Sequence, residues 1–121
     1  MFVDYIGYVY TKENQNDRER IGEAMRELQM LSKDYNVTIF VLAQINREGN
    51  EEPGLIYLKD SGELEQTAHA VLILHNPDKN LDNSMPELKI LIPKNRNGQL
   101  GYLKMIYNKK TQKFTEVVNN Y

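Results

Sequence analysis

The chain has 121 residues, of which 40% are hydrophobic and 26% charged, with a formal net charge of −2. That composition predicts one ordinary globular domain and excludes a globally basic nucleic-acid binder, though not a local basic stripe. The sequence has no cysteine, no apolar run near the ~20 residues that span a bilayer, and no basic-then-apolar leader at Met1–Tyr5. Disulfides and thiolate metal sites are therefore ruled out, and a cytoplasmic protein without a membrane partner is expected.

Residues 1–9 are apolar and β-rich, broken by Asp4 and Gly7, and predict a buried strand entering a loop over 10–17. Asn16 followed by Glu19 has the spacing of a helix start. Ile21, Ala24, Met25, Leu28, Leu31 and Tyr35 then recur at helical spacing, while Arg18, Arg20, Glu23, Glu27 and Lys33 fall off that stripe and read as a solvated face. Residues 37–43 are continuous, apolar and β-branched-rich, the pattern of a parallel strand covered on both sides. Strand, helix, strand in this order predicts a right-handed βαβ crossover.

A polar loop over 45–57 follows, long enough to suggest a functional role. Its Gly49-Asn50-Glu51-Glu52-Pro53-Gly54 has the glycine spacing of a phosphate loop. Leu55 and Ile56 stand where Lys and Ser/Thr are required, so it is not one. Ser61 can cap a short helix over 62–67. Residues 70–74 predict another buried strand, 76–86 a connection, and 88–92 and 102–107 two strands around a basic tract. Phe114, Val117 and Val118 suggest a last short strand.

Several polar residues sit where chemistry is done. Asp4 ends an apolar strand, a position from which a carboxylate can hold Mg²⁺, often through water; solvated strand ends carry acids as well. Gln44 directly follows an apolar strand, where a neutral amide can bond a phosphate or an attacking water. Arg47 is within three residues of it. Lys94 and Arg96 alternate across Asn95, so on an extended segment they point the same way. Two such cations suit a polyphosphate whose charge shifts during cleavage, although a plain basic hairpin has the same pattern. Asn97-Gly98 favours a tight turn. Lys59, Ser61 and Gly62 could hold a phosphate, with Asp60 opposing a purely electrostatic site. His69 and His75 flank an apolar strand without a third ligand and read as structural residues.

In order, these segments resemble the C-terminal ATPase domain of bacterial and phage replicative DNA helicases of the DnaB type. Residues 1–9 resemble the family's Walker B strand, and Leu42-Ala43-Gln44-Ile45-Asn46-Arg47 its Ser-Gln-Leu-Asn-Arg-type motif. Residues 58–66 resemble Leu-Arg-Glu-Ser-Gly-x-Ile-Glu-Gln, and Lys94-Asn95-Arg96-Asn97-Gly98 the Lys-x-Arg-Asn-Gly finger. The resemblance implies a partial RecA-like (P-loop NTPase) α/β fold, a mainly parallel sheet with a C-terminal β-hairpin, spanning residues 1–121 as the C-terminal portion of the ATPase domain.

It further implies Asp4 at the Mg²⁺ position, Gln44 as γ-phosphate sensor, and Lys94 and Arg96 reaching a neighbouring subunit's ATP. Arg47, Lys59, Asp60, Ser61 and Gly62 would track single-stranded DNA. A homo-hexamer, a primase and a helicase loader are the implied partners. Three departures stand out. Lys59-Asp60 replaces Arg-Glu, weakening a bidentate phosphate contact. Thr67-Ala68-His69 replaces Asp-Ala-Asp. The Walker A loop and catalytic glutamate, upstream in the family, are not among these residues.

The chain alone is accordingly expected to bind no ATP or Mg²⁺, to be inactive as an ATPase, and to expose a sheet edge that favours a dimer as much as a monomer. Two other classes fit the residues: a non-catalytic module binding single-stranded DNA or a helicase ring, and a RecA-like regulatory ATPase or recombinase relative.

Overall fold

The computed structural model describes residues 1–9, 16–44, 62–77 and 82–117, arranged as two units. One holds residues up to 44 together with 62–68; the other holds 69–77 and 82–117. None of the described helices is long and apolar enough to cross a membrane.

In the first unit β1 (Phe2–Val3) pairs in parallel with β2 (Phe40–Val41), and helix α1 (Asp17–Asp34) connects them in sequence. The ladder extends beyond the strands proper. The Met1 nitrogen donates to the Thr38 carbonyl at 2.8 Å, Phe40 N–H to Met1 O at 2.8 Å, and Leu42 N–H to Val3 O at 2.9 Å. A 3-10 turn at Ile6–Tyr8 follows β1 and is tied back by Ile6 N–H to Leu42 O at 2.9 Å.

Helix α1 begins where the Asn16 signal places it, with Asn16 Oδ1 accepting from Glu19 N–H at 2.9 Å and satisfying one orphan donor of the first turn. Its end is set by Asn36, which adopts φ +49°, a conformation asparagine tolerates better than most residues. Asn36 N–H then reaches Lys33 O at 3.3 Å and Val37 N–H reaches Ser32 O at 3.0 Å, the paired carbonyl closure of a Schellman motif.

The helix buries Ala24 and Met25, with Ile21 and Leu28 alongside, against Ile6, Val41 and Leu64. Leu64 lies on α2 (Gly62–Thr67), which crosses close to α1 at Gly22. A Cβ at Gly22 would meet Glu63 Cγ at 2.8 Å, so a glycine inside an otherwise good helix is explained by close approach. Arg26 bonds Glu63 at 3.1 Å and Gln29 Nε2 bonds Thr67 O at 3.4 Å across the same contact.

The expected stripe is only partly covered. Leu31 and Tyr35, at its C-terminal end, are exposed. The strand expected over 37–43 is shorter than its apolar run, and Phe40 and Leu42 are exposed. Phe40 instead stacks on Phe2 with ring centroids 5.0 Å apart.

The second unit is a four-stranded antiparallel sheet in the order β3-β4-β5-β6. Its strands are β3 (Ala70–His75), β4 (Glu87–Asn95), β5 (Gly101–Asn108) and β6 (Lys113–Glu116). The C-terminal hairpin is present as β4–β5. Pairing among the described residues is mixed, however: parallel in the small sheet and antiparallel in the large one, rather than mainly parallel. The reason is connection length, because the five residues from Arg96 to Leu100 can reverse the chain but cannot carry a parallel crossover.

One-sided packing follows. Ile73 is 1% exposed while its neighbours Leu72 and Leu74 are 60% and 56% exposed, the alternation of an antiparallel sheet with one open face. The expectation of a strand buried on both faces at 70–74 does not hold. The last two strands, β5 and β6, are joined by stacking of Tyr107 on Phe114 at 4.6 Å. Asn108 Oδ1 accepts from Thr111 N–H at 3.0 Å in the turn between them.

Ile73→Ala should lower unfolding free energy by about 2–4 kcal/mol, since it removes a side chain enclosed on all sides. Leu72→Ala, one residue away on the open face, should cost under ~1 kcal/mol. Urea denaturation of the two variants checks the assignment of faces. The β1–β2 pair carries no further strand among the described residues, so concentration-dependent self-association is expected. A sedimentation profile that stays monomeric at high concentration would contradict it.

Candidate nucleotide and nucleic-acid site

Parallel pairing brings the C-terminal ends of β1 and β2 to one edge. With Val3 opposite Val41, Asp4 leaves β1 at the level where Leu42 leaves β2, and Gln44 follows two residues later. Open α/β sheets bind ligands at the carboxyl ends of their strands. Asp4 and Gln44 are both exposed, and neither side chain is engaged by another described residue. The two positions that the sequence marked forty residues apart are thus brought to the same edge.

Asp4 suits one kind of metal. Mg²⁺ is usually bound by one or two carboxylates, with phosphates and waters filling the remaining positions. No group of three or more metal-ligating side chains exists among the described residues, so a cage made wholly of protein ligands is not offered there. A single solvent-facing carboxylate at a strand end fits the donor set of a hydrated ion shared with a phosphate. Beside it, Tyr5 packs edge-on against Tyr8 with centroids 4.4 Å apart. The neighbouring Tyr8, and secondarily desolvation, push the Tyr5 phenol above its ordinary range, so it adds no negative charge next to Asp4 at neutral pH.

Lys94 and Arg96 lie in the second unit, at the tip of the β4–β5 hairpin. Lys94 remains within β4 opposite Val71 and is half-buried, whereas Arg96 begins the turn and is exposed. The extended alternation that would aim both cations alike therefore stops at Asn95. Arg96 is held through its backbone, its N–H donating to His69 O at 2.9 Å. That bond uses the His69 main-chain carbonyl just before β3. His75 sits at the other end of β3, opposite Lys89.

Asn95 organises the turn. Its Oδ1 accepts from Asn97 N–H at 3.3 Å and its Nδ2 donates to Gln99 O at 3.4 Å. A Cβ built on Gly98 would lie 2.5 Å from that Nδ2, so the absence of a side chain there leaves room for the Asn95 carboxamide as it is placed. Sequence reasoning treated Asn95 only as the spacer between two cations; asparagine's capacity to bond backbone two residues on was the available signal. It missed Gly22 too, although a lone glycine in a helical pattern points to close packing.

Of the segment expected to track DNA, Gly62 opens α2, with the Arg18 guanidinium beside it. Arg47, Lys59, Asp60 and Ser61 lie outside the described residues, as does the 49–54 loop.

The fold belongs to the class of RecA-like helicase ATPase domains. The chain superimposes on a solved structure described as an ATPase domain with a TM-score of 0.86 at 24% identity, over 97% of this chain and 44% of that one. It also superimposes on a DnaB-like replicative helicase, studied with its primase interactions, with a TM-score of 0.82 at 24% identity, over 93% of this chain and 29% of that one. The model of the DnaB-like helicase C-terminal domain matches residues 1–116, and the chain belongs to that family.

Among its relatives are a probable plasmid replicative DNA helicase of Chlamydia psittaci, 31% identical over 95% of this chain, and the replicative DNA helicase DnaB of Haemophilus influenzae, 29% identical over 94%. The chain spans 26% of the length of each of these two relatives.

Gly98→Ala should displace the Asn95 carboxamide and release its two turn contacts, at a cost of about 1 kcal/mol. NMR should show lost protection of the Asn97 amide while the β5–β6 ladder is unchanged. An undisturbed Asn97 amide would show that Asn95 does not organise the loop.

Proposed function

We propose that this chain is part of a hexameric replicative DNA helicase that couples ATP hydrolysis to translocation on single-stranded DNA and to duplex unwinding. The observation that carries the reading is the parallel pairing of β1 and β2, whose C-terminal ends, followed by Asp4 and Gln44, fall on one edge. Family membership supplies the reaction to which such an edge is suited.

On this reading Asp4 orients Mg²⁺ on the nucleotide and Gln44 bonds the γ-phosphate through its amide. Bound Mg²⁺ would neutralise charge on the phosphates, in keeping with a single exposed carboxylate. Lys94 and Arg96 act on the ATP of an adjacent subunit, where a guanidinium stabilises the charge that develops as the phosphoryl group transfers. Asn95 and Gly98 hold the turn that carries Arg96. Arg47, Lys59, Asp60, Ser61 and Gly62 follow the DNA backbone; Lys59 keeps a point charge in place of a planar fork and so holds phosphate without bidentate geometry. A primase and a helicase loader are the protein partners, and the cytoplasm is the compartment.

The 121 residues contain no Gly-x-x-x-x-Gly-Lys-Ser/Thr loop to cradle the phosphates. ATPase turnover by the chain alone should accordingly be negligible, and a measurable turnover abolished by Asp4→Ala would overturn this. In a protein that joins these residues to a phosphate loop, Arg96→Ala should reduce kcat by about 10³-fold or more. Turnover that survives Arg96→Ala unchanged would remove the finger assignment.

A further inference from the structure

Between Glu87 and Glu116 the chain carries no acid. Residues 88–115 hold seven of its 15 Lys and Arg and none of its 17 Asp and Glu, and they make up nearly all of β4, β5 and β6. Three strands are thus locally basic in a chain whose net charge is −2. Strand register puts part of that charge in one line. Lys89 stands directly opposite Lys104, and His75 directly opposite Lys89. Like charges that face each other across a sheet oppose its pairing. Glu87 Oε1 meets Lys104 Nζ at 3.7 Å, near the limit of an ion pair, and Lys89 Nζ lies 5.4 Å from the centroid of the Tyr102 ring.

This is the face of Ile73 and Leu91, and its cover stops short of β5. Along the row Ile73, Leu91, Tyr102 the exposure rises from 1% and 9% to 56%. Residues two apart on a strand share a face, so Tyr102 and Lys104 follow one another on the open part. Lys113, opposite Asn108, continues that face onto β6, and Lys110 is exposed in the turn beside it. The outcome is a strip with an aromatic ring at one end and lysines beyond it, at a spacing of ~7 Å for every two residues.

We infer that this strip, Tyr102 with Lys104, Lys113 and Lys110, is a binding surface for single-stranded nucleic acid. The lysines take phosphates and the exposed face of Tyr102 stacks on a base, the combination of cations and rings that holds a single strand without reading its sequence. An acidic peptide would use the lysines and leave the ring idle. The surface draws on the second unit alone and does not depend on the assignment of Arg47 and residues 59–62 to DNA.

The test is titration of a fluorescent oligo-dT with the 121-residue chain at several salt concentrations. Lys104→Gln with Lys113→Gln should weaken binding about tenfold at low salt and lower the salt slope by about 1.4, two contacts to a single strand. Lys104→Arg with Lys113→Arg should keep the slope, which a packing role would not predict. Tyr102→Leu should weaken binding roughly fivefold or more and leave the slope alone. Lys33→Gln, an exposed lysine of α1, should change neither, and circular dichroism should be the same for all variants. Wild-type binding that is weakened by Lys59→Ala but untouched by the Lys104, Lys113 and Tyr102 variants would overturn the strip and leave the 59–62 assignment standing. Absence of salt-dependent binding by the wild type would also overturn it. Polyglutamate competing as well as unlabelled oligo-dT, with Tyr102→Leu silent, would put an acidic protein in place of nucleic acid and reject the inference.

Discussion

Backbone hydrogen bonds between the Met1–Val3 segment and the Thr38–Leu42 segment position the candidate nucleotide edge. Because the pairing is parallel, both strands end on the same side, and the residues that leave them are placed together whatever their separation in sequence. Side chains then fill the space beneath: Val41 and Ile6 lie under α1, which spans the connection and returns the chain to the start of β2. A parallel pair cannot be made with a tight turn, so α1 is a condition of the site as well as a cover for it.

The larger sheet obeys the opposite constraint. A short reversal between β4 and β5 makes the pair antiparallel and projects a tip whose shape is decided by hydrogen bonds of Asn95 and by the absence of a side chain at Gly98. Lys94 is held in the ladder and Arg96 in the turn. The two backbones are therefore constrained differently: Lys94 by strand pairing, Arg96 by a bond from its N–H to His69 O.

Much of this was legible locally. Asn16 and Glu19 mark the start of α1 because an N-cap is an interaction within four residues. The helix at Gly62 to Thr67 was read from a capping residue before it, and the strands β3 to β5 from runs of apolar and β-branched residues bounded by turn formers. The motif order around Asp4, Gln44 and Lys94–Gly98 led to the family, which the match over residues 1–116 bears out. Burial was less legible. Residues 70–74 look alike as a run of Ala, Val, Leu and Ile, yet Ile73 is enclosed and its neighbours are open. Which face is covered depends on the strands it pairs with, and periodicity over five uniformly apolar residues carries no phase.

By itself the sequence determined most of the elements, their order, the N-terminal cap of α1 and the chemical types available for nucleotide and phosphate, because each of these is settled by interactions a few residues long. Only the tertiary structure decided that Asp4 and Gln44 share an edge, that the pairing is mixed, that Gly22 is a close-approach site, and that Arg18 reaches Gly62 from another helix. Those facts depend on contacts between residues forty or so positions apart. A backbone hydrogen bond or a glycine's missing Cβ makes such contacts possible without leaving a mark in the local pattern.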